Sequence, residues 1–84
     1  MIERIVKTND KEADMFLTGE KSYFLRSDKE RYEKGYIIWF QNIRNGNPVY
    51  HAVSKIKFEV THIDNWVTAP ITKGFQIVSV RATR

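Results

Sequence analysis

The sequence predicts a mainly β (α+β) domain: a small, partly closed β-barrel of about five to six strands with one short helix after the first strand. Short apolar runs rich in β-branched and aromatic residues recur between turn residues, and only one segment has helical spacing. Closure would remove the exposed edges that so small a sheet otherwise leaves. With 84 residues and no Cys, the chain is predicted to be a single domain over residues 1–84 without disulfides.

Helical signals are confined to the segment after the first strand. The apolar residues between Ile2 and Val6 predict that strand, and Asn9 followed by Glu12 has the form of a capping box. Apolar residues then recur at helical spacing, and Gly19 supplies the stop. The pattern predicts a helix over residues 10–18.

The rest of the chain predicts strands. They are expected at residues 22–26, 36–40, 49–63 and 75–82, joined by a charged loop at 27–35, a hairpin turn at 45–48 and a loop at 64–72. The apolar run at 36–40 suits a strand buried on both faces, which makes Trp39 a core residue. Further along, alternation places Lys55 and Lys57 on a polar face, and a break at Val53-Ser54 predicts a bulge.

The net charge of +4 is unevenly distributed. Residues 1–42 hold eight basic and eight acidic side chains, whereas residues 43–84 hold six basic and two acidic ones. This asymmetry favours an anionic partner, with a solvated surface of chance imbalance as the alternative. No run is long and apolar enough for a membrane helix, and the charged start is unlike a secretory signal, so we expect a soluble cytoplasmic protein with no membrane partner.

Most standard signatures of catalysis and metal binding are missing from the sequence. It has neither a phosphate-binding glycine loop nor a nucleophile elbow. His51 and His62 lie eleven residues apart, without the spacing of metal ligands, and are interpreted as surface or boundary residues. The sequence therefore implies no metal and no cofactor.

The segment from Gly19 to Arg26 stands out. A glycine that ends a helix leads into Lys21, and Arg26 follows five residues later, so both cations are expected to flank one mouth of the barrel. Strand alternation places Phe24 and Arg26 on one face. Here the chain resembles the ASCH domain of the PUA-like superfamily, and within it a small bacterial and phage family of uncharacterised proteins. The resemblance rests on Gly19, Lys21, Arg26, Gly35 and the final strand after Gly74.

The resemblance implies a β-barrel with a cleft beside the helix, suited to RNA or nucleotide-like ligands. Some ASCH proteins of this size are amidohydrolases that act on acylated cytidines through a Lys, a Thr three residues later and a distant Glu. Lys21 matches the first position, but Phe24 stands at the Thr position, and no Glu follows Glu59. Because a phenyl ring can neither attack as a nucleophile nor exchange a proton, this departure argues against hydrolysis.

We therefore expect a non-catalytic RNA-binding module. The expected contacts are Lys21, Phe24, Arg26, Lys55, Lys57 and Trp66, with Arg44, Lys73, Arg81 and Arg84 as additional cations. Phe24 would stack on a base, the alternative being that its ring fills the core. Two other functions remain open: a small amidohydrolase using Lys21 and Glu59, and a protein-interaction module that binds a peptide in the cleft.

Overall fold

The computed structural model describes residues 2–27, 29–64 and 74–83. These residues form six strands, one α-helix and one 3-10 helix, which confirms a mainly β fold with a short helix after the first strand. The elements are β1 (Glu3–Thr8), α1 (Asp10–Thr18), β2 (Tyr23–Ser27), β3 (Ile37–Arg44), β4 (Asn47–Val49), the 3-10 helix (Ala52–Lys55), β5 (Lys57–Asp64) and β6 (Phe75–Thr83). Within these ranges no helix has the length and apolar character needed to cross a membrane.

Helix α1 spans the predicted residues because both of its caps are local. The Asn9 side chain accepts a hydrogen bond from the Glu12 backbone N–H at 2.8 Å, and Gly19 ends the helix at a left-handed φ of 84°. Ala13 and Phe16 are buried against the sheet, whereas Leu17, on the predicted apolar face, is 41% exposed.

The sheet runs in the order β1-β3-β5-β6-β2, and the short β4 pairs with β3. β1 is parallel to β3, and the other pairs are antiparallel. In the described ranges no backbone pairing joins β1 to β2, so the sheet is open where a barrel would close. The β3–β4 hairpin turns at Asn45 and Gly46, which both have the positive φ that a tight two-residue turn requires.

The segment before β5 differs from the prediction. The break near Val53 is a turn of 3-10 helix rather than a bulge, and the His51 ring caps it by accepting a hydrogen bond from the Val53 N–H at 3.1 Å. A register shift does occur, but it lies between Val60 and His62, where β5 pairs with β6. A histidine cap is not among the usual N-terminal helix signals, which explains why the sequence pattern did not indicate it.

Trp39 lies on the outer face of β3, so its assignment to the core was wrong. Its neighbours Ile38 and Phe40 are buried on the inner face. The Trp39 side chain is half-buried, and its indole N–H donates to the Glu3 carboxylate at 2.7 Å. A continuous apolar run has no alternation, so it cannot indicate which face of the strand is covered.

The core lies between α1 and the inner face of the sheet. Phe40 is at its centre: its ring stacks on Phe16 at 4.0 Å between centroids and meets Phe24 and Phe58 edge-on at 5.9 and 4.9 Å. The buried cluster comprises Val6, Ala13, Phe16, Phe24, Ile38, Phe40, Val53, Phe58, Val60, Val78 and Val80. The same aromatic cluster therefore supports both the helix and strand β2.

Candidate nucleic-acid interface

The free edges of β1 and β2 face each other across an opening, which we name the β1/β2 seam. The backbone carbonyls of Lys7 on β1 and Leu25 on β2 both point into it, since both accept hydrogen bonds from the Arg26 side chain. The residues that line the seam are Glu3, Arg4, Ile5, Val6, Lys7, Arg26, Glu30, Arg31 and Tyr32. The seam is the place where the expected barrel is not closed.

Arg26 bridges the seam. Its Nη1 donates to Leu25 O at 2.7 Å and its Nη2 donates to Lys7 O at 3.3 Å, and the guanidinium carbon lies 5.2 Å from the centre of the Phe24 ring. Phe24 and Arg26 therefore share a face of β2, as predicted. By satisfying one carbonyl on each edge, Arg26 links two strands that make no backbone hydrogen bonds to each other.

Tyr32 lies at the centre of the seam. Its side chain is half-buried, and its ring meets Phe24 edge-on at 5.5 Å between centroids. Burial raises the pKa of the Tyr32 phenol and Glu30 adds to the rise, whereas Arg26 and Arg4 oppose it. The phenol is consequently protonated at neutral pH and is a hydrogen-bond donor facing the opening.

Three depressions border Tyr32. One, of about 320 Å³, lies beside Gln76 and is lined by no β1 residue. The other two, of about 470 and 210 Å³, are lined by β1 residues and belong to the seam. Arg4 and Arg31 line the larger one, and Lys7 and Arg26 line the smaller one. All four cations belong to residues 1–42, the half of the chain whose charges cancel. The expectation that the basic second half supplies the positive charge is therefore not met at this opening.

Gln76 anchors the loop that carries Tyr32. Its side chain is only 4% exposed, and its amide nitrogen donates to Ser27 O at 3.1 Å and also to Glu30 O. At the other end of the loop, Gly35 N donates to Val60 O at 2.8 Å. The segment predicted as a solvated loop is thus held at both ends, which gives Tyr32 a defined position.

Lys21 is separated from the seam. Its ammonium donates to the Glu12 carboxylate at 2.9 Å and lies within 6 Å of the ring centres of Phe16 and Tyr23. Five residues of extended chain place it roughly 16 Å along the strand from Arg26. The expectation that the two cations flank one mouth is wrong, since Lys21 is held against α1 instead.

Phe24 does not offer a stacking surface. Its ring is 2% exposed and packs against Tyr32 and Phe40. Phe24 instead fills the core, which is the alternative given in the sequence analysis. A base stacked at the seam would have to use Tyr32.

The predicted lysine contacts lie elsewhere on the molecule. Lys55 ends the 3-10 helix, with its ammonium 5.7 Å from the centre of the exposed Tyr50 ring, and Lys57 begins β5. Both lysines are exposed, but neither lines the seam. They do not share one strand face, because the 3-10 helix interrupts the predicted strand.

Trp66, Lys73 and Arg84 lie outside the described residues.

A second set of polar residues surrounds α1 and is paired within itself. This α1 network comprises Asp10, Glu12, Asp14, Lys21, Asn42, Arg44 and His51. The carboxylate of Asp10 accepts hydrogen bonds from Arg44 at 3.1 and 3.2 Å and from the buried Asn42 amide at 2.6 Å. These bonds, Arg44 first, hold the pKa of Asp10 below its usual range, and Asp10 raises the pKa of Arg44.

His51 joins α1 to the 3-10 helix. Its Nε2 lies 2.7 Å from an Asp14 carboxylate oxygen, and its Nδ1 accepts from the Val53 N–H. The proton of the neutral ring is therefore assigned to Nε2, where it is donated to Asp14. His62 has a similar partner in Asp64, at 2.9 Å. In the part of the chain that the structure describes, no three His, Cys, Asp or Glu side chains gather as metal ligands.

No protein-family model matches this chain, and a search of curated proteins finds no match. Membership of the ASCH family therefore stays a prediction from the quoted residues.

Sequence reasoning missed Tyr32 and Arg4 as site residues. Tyr32 is a lone aromatic residue between the charged Arg31 and Glu33, in the segment that was interpreted as a solvated loop. For Arg4 the sequence held no signal, because its place at the seam depends on the parallel pairing of β1 with β3, about 34 residues further along the chain.

Proposed function

We propose that the protein binds single-stranded RNA at the β1/β2 seam, as a non-catalytic module. The observation that carries this proposal is the grouping of Arg4, Arg26 and Arg31 around the half-buried Tyr32 at one opening. Guanidinium groups bind phosphate, and tyrosine rings stack on unpaired bases. The resemblance to the ASCH domain supports the same class of ligand.

The charges of the seam also support an anionic ligand. In the described ranges, the ion pairs are Lys21–Glu12 and Arg44–Asp10, His51 and His62 contact Asp14 and Asp64, and none of these contacts involves a seam arginine. Arg4 is exposed, and its guanidinium carbon lies 5.6 Å from the centre of the Tyr36 ring. Across the whole seam Arg4, Lys7, Arg26 and Arg31 outnumber the two carboxylates of Glu3 and Glu30, so a phosphate there would meet an excess of positive charge.

Hydrolysis of an acylated cytidine, the alternative function, gains no support from the geometry. Lys21 is paired with Glu12, and Glu59 lies on the outer side of β5, opposite the buried Phe58 and Val60. Phe24 lies in the core, so the position of the catalytic threonine in those amidohydrolases supplies no oxygen here.

Fluorescence anisotropy with a labelled single-stranded RNA tests the proposal. The seam variant Arg4→Gln with Arg31→Gln is compared with the matched variant Lys55→Gln with Lys57→Gln, since each pair removes two positive charges. We expect the seam variant to weaken binding about tenfold or more and to reduce the slope of log K against log salt by about 0.7 for each phosphate that is no longer neutralised. The lysine variant should change binding less than about threefold.

Two results would overturn the proposal. One is the absence of RNA binding by the unmodified protein at low salt. The other is an equal reduction of affinity in the two variants, which would mean that net charge rather than the seam determines binding. A single-stranded DNA of the same sequence serves as a second arm and reports whether the ribose hydroxyl contributes.

A further inference from the structure

The seam contains two carboxylates among its cations. Glu3 and Glu30 both line the depression of about 470 Å³, together with Arg4, Arg31 and Tyr32. In the described ranges neither carboxylate belongs to an ion pair. Two carboxylates beside a phosphate would repel it, so a site that recognised phosphate alone would be weakened by them. They suit a ligand that also presents hydrogen-bond donors.

Glu3 is the better oriented of the two carboxylates. One of its oxygens accepts the indole N–H of Trp39 at 2.7 Å, from a ring on the neighbouring strand β3. A carboxylate held at one oxygen keeps acceptor sites on both oxygens for further donors. Trp39 thereby orients a carboxylate at the rim of the depression, with most of its hydrogen-bonding capacity open to a ligand.

Among the four RNA bases, guanine alone presents two adjacent donors on its Watson–Crick edge, the N1–H and the N2 amino group. Uracil presents one N–H between two carbonyl oxygens, which a carboxylate repels. Adenine and cytosine present one amino group next to a ring-nitrogen acceptor. Because an ionised carboxylate only accepts hydrogen bonds, its two oxygens match the guanine edge and no other.

We propose that the β1/β2 seam selects an unpaired guanine, with Glu3 accepting hydrogen bonds from N1–H and N2–H and Tyr32 stacking on the base. This inference rests on the proposed RNA binding and specifies its ligand. The neighbouring Arg4 and Arg31 bind the flanking phosphates. The volume of the larger depression lies within the range of about 300–1,000 Å³ typical of small-ligand sites.

Short oligonucleotides test the selectivity. Anisotropy is measured with four uridine pentamers whose central base is guanine, hypoxanthine, adenine or uracil. The guanine pentamer should bind about tenfold more tightly than the uracil one, and hypoxanthine, which lacks the N2 amino group, should lose much of that preference. Equal binding of the guanine and uracil pentamers would overturn the inference and leave RNA binding intact.

Glu3→Gln identifies the residue responsible. The glutamine amide still offers an oxygen to the Trp39 N–H, so the fold is preserved, but its NH₂ group replaces one acceptor by a donor. The variant should bind the guanine and uracil pentamers with affinities within about twofold of each other. Glu20→Gln, the same charge change at an exposed position beyond α1, should keep the full preference.

The two proposals fail in different ways. A guanine preference that persists in Glu3→Gln rejects the role of Glu3. Failure of every pentamer to bind at low salt overturns RNA binding and the guanine inference together. Circular dichroism of each variant checks that a weaker preference does not reflect unfolding.

Discussion

The α1 network and the β1/β2 seam contain similar residues but use them differently. Around α1, Asp10 is bonded to Arg44, Glu12 to Lys21 and Asp14 to His51. At the seam, Arg4 and Arg26 lie against aromatic rings and Arg26 also donates to two backbone carbonyls, while Glu3 and Glu30 form no ion pair with them. Charged groups that satisfy one another stabilise local structure, whereas groups that do not are available to a ligand.

The short pattern recognised in the sequence, from Gly19 to Arg26, is divided between these two regions. Lys21 and Arg26 belong to the same short motif, yet the chain between them carries one to the α1 network and the other to the seam. The motif therefore contributes a structural ion pair at one end and a site residue at the other. Spacing in sequence showed that the two cations were related but not that they faced the same ligand.

Replacement of Phe40 should destabilise the α1 network and the β1/β2 seam together, because residues that support both regions pack on its ring. Phe16 of α1 stacks on it, and Phe24, which supports Tyr32, meets its edge. We expect Phe40→Ala to lower the free energy of unfolding by about 3–5 kcal/mol, a large fraction of the total for a domain of this size. Urea unfolding followed by circular dichroism measures the change.

The control for Phe40→Ala is Ile5→Ala, whose side chain is 68% exposed and which should change stability by less than about 0.5 kcal/mol. A decrease below about 1 kcal/mol in Phe40→Ala would show that the two regions do not share one core.

Replacement of Gln76 should increase the mobility of the loop at the seam and leave the α1 network unchanged. Gln76→Leu leaves the carbonyls of Ser27 and Glu30 without their donor, at an expected cost of about 1–3 kcal/mol. Amide hydrogen exchange should accelerate in the loop around Tyr32, while that of α1 changes only with global stability. Gln41→Leu, on the outer face of β3, is the matched control; equal acceleration in both variants would contradict the anchoring role of Gln76.

The smallest expected effect concerns the pH dependence of the α1 network. The folded state lowers the pKa of Asp10, so the ionised carboxylate stabilises the fold at neutral pH, and this contribution disappears as the pH falls below the ordinary value of 3.8 toward the lowered one. Asp10→Asn should therefore unfold at a slightly lower urea concentration than the unmodified protein at about pH 7. The gap should narrow below about pH 4, and a constant gap from about pH 7 to pH 3 would show that the charge of Asp10 is irrelevant.

Much of the fold was predictable because its signals are local. Asn9 and Gly19 set the ends of α1, and Asn45 and Gly46 set the β3–β4 turn, each through the conformation of a few neighbouring residues. The open seam was not predictable from such signals. Whether β1 meets β2 depends on the curvature of the whole sheet, and alternation within a strand gives no information about that curvature.

The candidate site was predictable only in part. Arg26 was identified because it lies in a short pattern, and strand alternation placed it beside Phe24. Tyr32 lies on a loop that Gln76, far along the chain on β6, holds by hydrogen bonds, and Trp39 on β3 binds the Glu3 carboxylate. Such contacts arise from the register of distant strands, to which residue type and spacing give no guide.

Arg26 also bears on the accessibility of the two free strand edges. An unpaired strand edge is a template on which another chain can add a strand and begin an aggregate. The edges of β1 and β2 are turned toward each other, and Arg26 already occupies one carbonyl on each. A strand from a second copy could pair there only after displacing that side chain. The same arginine that bridges the opening thus hinders the addition of a strand to the edges of β1 and β2.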